Sequence, residues 1–239
     1  MSRYVALDKS KHTQLRVRQS YGAELGDSVS SVPVILPELS HLVADFPVVV
    51  IQSKDSGRYR LTALLGLFPS QNLFLQGDSW DASYVPLNLQ VRPFRMGRRP
   101  DDANNTSPFV MVDADSPRLS QDQGEVLFDD AGSPSDYLRR QGEVLSLLAD
   151  GQTQVTAFVD YLMAKELLEE TRVSFNNDNG EKKTLTGMFA VSQKKSSALD
   201  LETVTELHSK GWLEALYLMK ASMAHLRGLV HRYQRLSPL

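Results

Sequence analysis

A short basic segment beside aromatic residues is the part of the sequence best suited to bind another molecule. Arg92-Pro93-Phe94-Arg95 places two guanidinium groups within four residues, and Arg98 and Arg99 follow closely. Guanidinium groups donate paired hydrogen bonds to carboxylates, so this segment could bind an anionic ligand or the carboxylate terminus of a peptide. A solvated flank of a mobile loop would look the same, and that alternative stays open.

Aromatic side chains precede and overlap the basic segment. Large aromatic rings line peptide and sugar grooves, although they also fill cores because they bury large apolar areas. We therefore predict that a peptide or a partner protein contacts the segment from 72 to 95, with core packing of the rings as the alternative. The predicted contact residues are Asn72, Phe74, Trp80, Tyr84, Arg92, Phe94 and Arg95.

The sequence contains no recognisable motif for catalysis, for a metal or for a phosphate group. Glycine-rich phosphate loops, a nucleophile elbow and a His-Glu-x-x-His pattern are all missing, and no two of the five histidines are four residues apart on a predicted helix. Cysteine is absent as well, which excludes disulfides, Cys-ligated zinc and a thiol nucleophile. We predict no cofactor, no metal and no catalytic residue. An enzyme of unknown reaction, with loop carboxylates or His225 as acid–base groups, stays as a rival hypothesis.

Composition predicts a globular cytoplasmic protein. The 239 residues are 41% hydrophobic and 23% charged, and the formal net charge of -3 makes nucleic acid an unexpected partner. The first 21 residues are charged or polar at nearly every second position, unlike a secretory signal. No apolar run approaches the roughly 20 residues of a spanning helix, so we expect no membrane span.

The first half of the chain is predicted to be rich in strands. Apolar and polar residues alternate from Leu15 to Arg18, and a continuous apolar run from Phe46 to Ile51 indicates a central strand. The strand Tyr59 to Leu67 would complete a hairpin, and another strand is predicted from Phe109 to Val112. A short helix opens at Pro37, a packed loop with short strands covers 72–94, and a mobile loop covers 97–108.

The second half is predicted to be rich in helices. Ser133 would cap a helix that carries Leu138 to Leu148, and a second helix would run from Gln152 to Glu169. A hairpin with an Asn/Gly turn follows over 172–191. Two closing helices are separated at Lys210-Gly211. The prediction is one α+β domain over 1–239 with a mixed or antiparallel sheet, in which a helix–strand–turn–strand unit could be duplicated.

The closing helix, from Trp212 to Tyr233, has the clearest periodicity in the sequence. Apolar residues are separated alternately by four and three positions, which places them in one stripe along about six turns. Packing across the protein's own sheet is the favoured interpretation, and a homodimer formed through the same stripe is the alternative. The stripe is Trp212, Leu216, Met219, Met223, Leu226, Val230 and Tyr233.

The same segments resemble the bacterial SapC family. The order of short motifs carries the resemblance, and the series from Asn-Leu-Phe to Arg-Pro-Phe is its most specific part. One departure is that Gln90-Val91 precede a single Arg92, where the family usually has two arginines before the Pro-Phe step. The motifs are Pro37-Glu38, Phe46-Pro47-Val48-Val49, Leu64-Leu65-Gly66-Leu67, Asn72-Leu73-Phe74, Trp80, Tyr84-Val85-Pro86, Arg92-Pro93-Phe94, Leu127-Phe128-Asp129, Leu185-Thr186-Gly187-Met188, Leu199-Asp200 and Gly211.

The resemblance implies an accessory role and transfers no catalytic residue. Members of this family are often encoded beside oxygenase-like and halogenase-like proteins and outer-membrane receptors, and the function of most members is unsettled. The resulting hypothesis is a non-catalytic accessory protein that recognises a peptide or a partner protein and is associated with such modifying enzymes. The alternatives are an enzyme of unknown reaction and a self-associating structural subunit.

Overall fold

The computed structural model describes residues 3–53, 56–97, 108–177 and 179–236, which form an α+β fold with a helix-rich second half. The chain divides into two compact units. Met1–Ser28, Leu75–Trp80 and Leu87–Asp150 make up the first unit, and Val29–Phe74, Asp81–Pro86 and Gly151–Leu239 make up the second. The α+β class predicted from the sequence is therefore confirmed, whereas the single domain over 1–239 stays a prediction.

Thirteen strands, eight α-helices and two 3-10 helices are found among these residues. The strands are β1 (Tyr4–Ala6), β2 (Arg16–Val17), β3 (Ser31–Pro33), β4 (Val48–Gln52), β5 (Tyr59–Leu64), β6 (Leu75–Gln76), β7 (Ser79–Trp80), β8 (Phe94–Gly97), β9 (Phe109–Asp113), β10 (Leu119–Ser120), β11 (Glu125–Val126), β12 (Leu168–Asn176) and β13 (Lys182–Val191). The helices are α1 (Lys9–His12), α2 (Leu39–Leu42), α3 (Leu87–Gln90), α4 (Asp136–Ala164), α5 (Gln193–Ser196), α6 (Leu201–Ser209), α7 (Trp212–Ser222) and α8 (His225–Leu236).

The first unit contains three small antiparallel sheets. Their strand orders are β1-β9-β8, β10-β2-β11 and β6-β7. Residues from β2, β8 and β9 pack with the first turns of α4, so that one apolar cluster joins two of these sheets to the helix. The buried members of this cluster are Val17, Val91, Phe94, Val112, Leu127, Phe128, Tyr137, Leu138 and Leu145.

The second unit is built on one five-stranded antiparallel sheet with the order β12-β13-β4-β5-β3. The apolar run predicted as a central strand is β4, in which Val48, Val49 and Val50 are all buried. Helix α7 packs against β4 and β13. The Ser222 hydroxyl at its end accepts a hydrogen bond from the Val48 N–H at 3.0 Å. The predicted central strand is therefore confirmed.

Both predicted hairpins are present in this sheet. β4 pairs with β5, and β12 pairs with β13 around a turn in which the Gly180 N–H donates to the Asn177 carbonyl at 2.9 Å. Gly180 has φ +74°, the left-handed conformation that favours glycine. A helix precedes each hairpin, α2 in one case and α4 in the other. The helix–strand–turn–strand arrangement thus occurs twice, while its origin by duplication stays a prediction.

Helix α4 is one continuous helix of 29 residues where two were predicted, so that prediction was wrong. It begins at Asp136, and its capping side chain is Ser135, which accepts the Leu138 N–H at 3.1 Å, rather than Ser133. Glycine disfavours helix interiors by about 1 kcal/mol, yet α4 contains both Gly142 and Gly151. Packing overrides that preference. The predicted apolar stripe of the second part, Val155, Phe158, Val159 and Leu162, is completely buried.

The final predicted helix is divided into α7 and α8, so a single helix from Trp212 to Tyr233 was also wrong. The break at 223–224 contains no glycine or proline, and the apolar spacing continues across it. The sequence pattern therefore did not predict the end of a helix there. Leu216, Met219 and Tyr233 are buried. The stripe therefore serves the core of the second unit, as favoured from the sequence.

Two further expectations concern the middle of the chain and the membrane. The predicted short strands within 72–94 are present as β6 and β7, and the short helix α3 was missed. The predicted mobile loop at 97–108 lies outside the described residues except for its two ends.

Among the helices of the described chain, none is both long enough and apolar enough to cross a membrane.

We predict that Gly151→Ala destabilises the protein even though alanine favours helices. A Cβ added at Gly151 would lie 2.8 Å from Cγ2 and 2.9 Å from Cβ of Ile35, so the packed side chain would have to shift. The expected loss is about 1–2 kcal/mol in the free energy of unfolding, measured by urea denaturation. Gly142→Ala is the matched control in the same helix. Its added Cβ meets nothing within 4 Å, and it should stabilise by about 0.5–1 kcal/mol. Stabilisation by both variants would contradict the close approach.

Candidate functional site

The residues predicted to contact a partner are divided between the two units. Trp80, Arg92, Phe94 and Arg95 belong to the first unit, and Asn72, Phe74 and Tyr84 belong to the second. Their consecutive order in the sequence therefore does not describe one surface, and each group is considered with the residues that surround it in its own unit.

The side chains of Phe94 and Arg95 lie on opposite faces of strand β8, because successive side chains of a strand alternate between its two faces. Phe94 is only 3% exposed, and its ring centroid lies 6.3 Å from that of Tyr137 within the apolar cluster. Arg95 is exposed, and its guanidinium carbon lies 3.8 Å from the centroid of the Tyr4 ring. Core packing thus describes Phe94, while Arg95 presents a cation at the surface.

Arg92 is anchored through one of its terminal nitrogens. Its Nη1 donates to the Gly26 carbonyl at 2.5 Å and lies 3.6 Å from the Asp27 carboxylate. Among the described residues, no hydrogen bond is made by its Nε or Nη2, and 30% of the side chain is exposed. The Nε–Nη2 edge is suited to the paired hydrogen bonds that a carboxylate accepts. Arg92 is therefore held in place with one binding edge available.

Asp27 is the buried carboxylate beneath this arrangement. The side chain is completely buried and accepts hydrogen bonds from the Gly22 N–H at 3.0 Å and from Arg118 Nη2 at 2.5 Å. The turn from Gly22 to Gly26 brings the carboxylate back to its own backbone. Gly26 closes this turn with φ +85°. Two guanidinium groups thus face one buried negative charge, which leaves a positive charge at the surface.

Arg118 is a structural partner of Asp27. Its Nη1 donates to the carbonyls of Ser20 at 2.9 Å and Arg18 at 3.3 Å, and its side chain is 4% exposed. A buried cation needs this degree of hydrogen bonding to offset its lost hydration. Arg118 is committed to these internal contacts, whereas Arg92 keeps a free edge.

A cavity of about 430 Å³ opens beside Arg92. Asp113 and Asp115 contribute negative charge to its lining, and both interact with Arg3, whose N–H donates to Asp113 at 2.9 Å and whose guanidinium lies 3.3 Å from Asp115. The cavity therefore has a cationic edge at Arg92 and acidic groups that are already engaged. Its lining residues are Tyr4, Leu25, Gly26, Arg92, Pro93, Asp113, Asp115, Ser116, Pro117 and Arg118.

Burial lowers the pKa of the Arg92 guanidinium, and the nearby Asp27 carboxylate opposes that effect. An arginine titrates far above neutral pH, so the group remains protonated in neutral solution. The cavity thus carries a permanent cation that is partly screened from water, and an ion pair with a ligand is stronger there than a fully solvated one.

Trp80 belongs to the same network of contacts in the first unit. Its ring centroid lies 5.8 Å from that of Tyr21, and the Arg118 guanidinium lies 5.7 Å from the Tyr21 ring. Arg118 in turn binds Asp27, the residue next to Arg92. Two of the residues selected from the sequence, Trp80 and Arg92, are therefore connected through side chains that were not selected.

The second unit holds Tyr84 in a separate cluster. The Tyr84 hydroxyl donates to Glu38 at 3.2 Å, and its ring stacks on His41 with centroids 5.0 Å apart. Glu38 is 2% exposed and also accepts the Ile35 N–H at 3.0 Å. Burial, followed by the charge and the hydrogen bond of Glu38, raises the pKa of the Tyr84 phenol well above its usual value. Tyr84 is half-buried and stays neutral.

Asn72 and Phe74 are structural residues of the second unit. The Asn72 side chain is 9% exposed and accepts the Phe74 N–H at 3.0 Å. The Phe74 ring is 1% exposed, lies 4.6 Å from the Phe46 ring and is covered by the Arg232 guanidinium at 4.5 Å. Core packing, the alternative considered from the sequence, describes Phe74 as it does Phe94, and neither ring presents a surface to a ligand.

The SapC family model matches residues 7–229, which is most of the chain. The chain belongs to the SapC family. Neither a curated protein nor a solved structure matches it. The match includes segments from both units of this SapC protein.

Sequence reasoning missed the groups that position Arg92 in this SapC protein. Asp27 and Arg118 are separated by 91 positions, and nothing in the local sequence of either residue distinguishes it from an ordinary surface charge. The turn Gly22–Gly26 was the one local signal, because two glycines flank the three-residue segment Ala23–Leu25 directly before Asp27. In the part of the chain that the structure describes, no cluster of three or more His, Asp or Glu side chains could hold a metal ion.

We predict that Asp27→Asn strongly destabilises this SapC protein. The substitution leaves the buried Arg118 guanidinium without its counter-charge, and breaking a buried ion pair in this way costs about 3–5 kcal/mol. Urea denaturation of the variant would measure the loss. Asp130→Asn, at an exposed position of the same unit, should stay within about 0.5 kcal/mol of the wild type. Equal stability of both variants would show that Asp27 carries no such role.

We also predict a pH-dependent effect of Tyr84→Phe. Because the folded pKa of Tyr84 is raised above the unfolded value of about 10, its bond to Glu38 contributes fully below that pH and is lost as the pH rises toward the folded pKa. At about pH 8 the free energy of unfolding of the variant should be about 1 kcal/mol lower than that of the wild type, and this difference should shrink at about pH 11. Urea denaturation at both pH values would test this. Tyr217→Phe, which alters an exposed ring, should show no such trend.

Proposed function

We propose that this SapC protein is a non-catalytic accessory protein that binds a carboxylate group of a peptide or partner protein in the cavity at Arg92. The observation that carries the proposal is the Arg92 guanidinium, which belongs to a side chain that is 30% exposed and is anchored through Nη1 to Gly26 and Asp27, with its Nε–Nη2 edge unoccupied by any described residue. A guanidinium held in this way has lost its conformational freedom before a ligand arrives, which lowers the entropic cost of binding.

The size and charges of the cavity support a peptide carboxylate as the ligand. A volume of about 430 Å³ holds a few amino-acid residues and is in the range of ordinary ligand pockets. Arg92 would receive the carboxylate, and the exposed Arg95 beside Tyr4 would add to the attraction for negative charge. Asp113 and Asp115 on the lining would favour a ligand whose other groups are neutral or cationic. A terminal or side-chain carboxylate of a peptide meets these conditions.

Trp80 in the first unit and Tyr84 in the second each remain, taken separately, a proposed contact for a peptide or partner protein. Both rings are partly exposed, and each is supported by packing within its own unit, against Tyr21 and His41 respectively. Rigid aromatic side chains of this kind contribute large contact areas at low entropic cost. Assistance to oxygenase- or halogenase-type modifying enzymes, as the family resemblance implies, is part of the same proposal, with the bound peptide as the molecule being modified.

The homodimer through the helix Trp212 to Tyr233 is a weaker proposal. Its buried members Leu216, Met219 and Tyr233 already pack within the second unit, so they would have to leave that core to join a second copy. Only Tyr217 is a largely exposed apolar side chain on α7 in the described structure, and one such residue is ordinary for a protein surface.

The proposal predicts that capture of carboxylate-bearing peptides depends on Arg92. A random pentapeptide library with free C-terminal carboxylates would be passed over immobilised protein, and the bound peptides would be quantified by mass spectrometry. The wild type should enrich them, and Arg92→Lys should reduce the enrichment about tenfold or more, because lysine keeps the charge and loses the paired geometry. Trp80→Ala should also reduce it.

Two controls make that experiment decisive. Arg140→Ala removes an exposed arginine of the same unit that lines no part of the cavity, and it should retain full capture. The same library with amidated C-termini and no acidic residues should be captured poorly by the wild type. Equal enrichment by the wild type and Arg92→Lys, or equal capture of both libraries, would remove the proposed function.

A further inference from the structure

The second unit contains a separate cavity beside the start of α7. Its volume is about 360 Å³, and its wall includes an ammonium group, an indole ring and a carboxylate, contributed by Lys210, Trp212 and Glu214. None of these residues takes part in the Arg92 site. The full lining is Leu36, Pro37, Ser40, Gln154, Lys210, Gly211, Trp212, Glu214, Ala215 and Leu218.

Trp212, which lines this cavity, forms an aromatic cage with Tyr161 and Glu206, which lie next to it outside the lining. The two ring centroids lie 5.5 Å apart with their planes inclined by 55°. The Lys210 ammonium sits 4.8 Å from the Trp212 ring and 5.0 Å from the Tyr161 ring, and it donates to Glu206 at 2.9 Å. Two aromatic faces and a carboxylate around one ammonium are the arrangement by which proteins recognise cationic ligands. Here the chain supplies the cation itself.

Tertiary packing fixes the walls of the cage more firmly than its occupant. The Trp212 ring packs edge-on against Phe158, a completely buried residue of α4, with centroids 5.7 Å apart. The Tyr161 hydroxyl donates to Glu206 at 2.8 Å. By contrast, the Lys210 side chain is 41% exposed and lies in the turn between α6 and α7, next to Gly211 with φ +70°. The ammonium can therefore leave while the walls remain.

The charges around the cage favour a cation. Four carboxylates lie in or near it, those of Asp200, Glu202, Glu206 and Glu214, of which the first three act electrostatically on Tyr161. Two ammonium groups face them: Lys210, and Lys165, whose Nζ lies 3.8 Å from Glu206. Removal of Lys210 from the cage would leave a larger excess of negative charge beside the two rings. An incoming cation would restore the balance.

We infer that this cavity binds a cationic side chain of a peptide, such as lysine or methylated lysine, which replaces the Lys210 ammonium against the rings of Trp212 and Tyr161. Lys210 is then an internal competitor that keeps the cage occupied until such a ligand arrives. The apolar residues Leu36, Pro37 and Leu218 on the lining would contact the aliphatic part of the ligand. This inference is independent of the proposed function of the Arg92 cavity.

The experiment uses the fluorescence of Trp212 with tetramethylammonium chloride as the probe. The sequence has two tryptophans, so Trp80→Phe leaves Trp212 as the sole indole reporter. In that background, Lys210→Met removes the internal cation and keeps the length of the side chain. We expect the tetramethylammonium concentration that half-maximally changes the Trp212 emission to be at least about tenfold lower for Lys210→Met than for the protein that retains Lys210. Both titrations are made at the same ionic strength, adjusted with sodium chloride.

The controls distinguish a cationic cage from a general apolar groove. Lys194→Met, at an exposed lysine of the same unit, should give no gain. Adding Tyr161→Leu to the Lys210→Met background should abolish the gain. N-acetyl-trimethyllysine amide should compete with tetramethylammonium, and N-acetyl-norleucine amide, which lacks the charge, should not. An unchanged unfolding midpoint would confirm that each variant is folded, and Lys210→Gln would replace Lys210→Met if the latter were unstable.

Several outcomes would overturn the inference. One is that tetramethylammonium is bound no more tightly after Lys210→Met or Lys210→Gln, and another is that it is bound equally well without the Tyr161 ring. Competition by norleucine amide as effective as that by trimethyllysine amide would show an apolar site instead. None of these results bears on Arg92, so they leave the capture of carboxylate-bearing peptides by the first unit to be judged on its own test.

Discussion

The buried carboxylate of Asp27 is the group on which the candidate site depends. It lies without solvent exposure between the guanidinium groups of Arg118 and Arg92, and the backbone N–H of Gly22 adds a further hydrogen bond. A lone carboxylate in such a place would carry a large desolvation penalty, and the two cations offset it. The two arginines differ in exposure. Arg118 is buried and donates its hydrogen bonds to the carboxylate and to backbone carbonyls, whereas Arg92 lines the cavity with its Nε–Nη2 edge not bonded to any described residue. A change at Asp27 would therefore alter both the stability of the unit and the position of the one group proposed to meet a ligand.

The aromatic residues of the middle segment show how burial separates structural from recognition roles. Phe74 and Phe94 have no polar atom, and both are sealed in the cores of their units. Trp80 and Tyr84 carry a polar atom each and remain partly exposed, in keeping with the tendency of such rings to sit where an apolar body meets water. The order Asn-Leu-Phe, Trp, Tyr-Val-Pro and Arg-Pro-Phe that marks the SapC family thus mixes residues that pack inside one unit or the other with residues that remain partly exposed.

The two cavities described here suit opposite charges. The first unit presents the cation of Arg92 above a buried carboxylate, and the second presents aromatic rings and carboxylates around a lysine of its own. Both arrangements combine a rigid wall with one exposed charged group, which is the combination expected of binding surfaces rather than of cores. Peptides carry both carboxylate and ammonium groups, so a peptide or a peptide segment of a partner protein is a ligand class with which each cavity, taken by itself, is compatible.

The amino-acid sequence by itself determined the α+β class, the buried central strand β4, the two hairpins and the apolar stripe of α4, because each depends on local periodicity and turn chemistry. Residue types that suit binding also led to the prediction that Arg92 and Trp80 contact a partner. Tertiary structure alone decided that α4 continues through Gly151, where Ile35 packs closely, and that the closing helix breaks after Ser222, which bonds to Val48 on β4. It alone paired Asp27 with Arg118 and placed the Lys210 ammonium against the rings of Tyr161 and Trp212. Local patterns cannot contain such pairings, since the energy of each contact arises only when residues distant in the chain are brought together by folding.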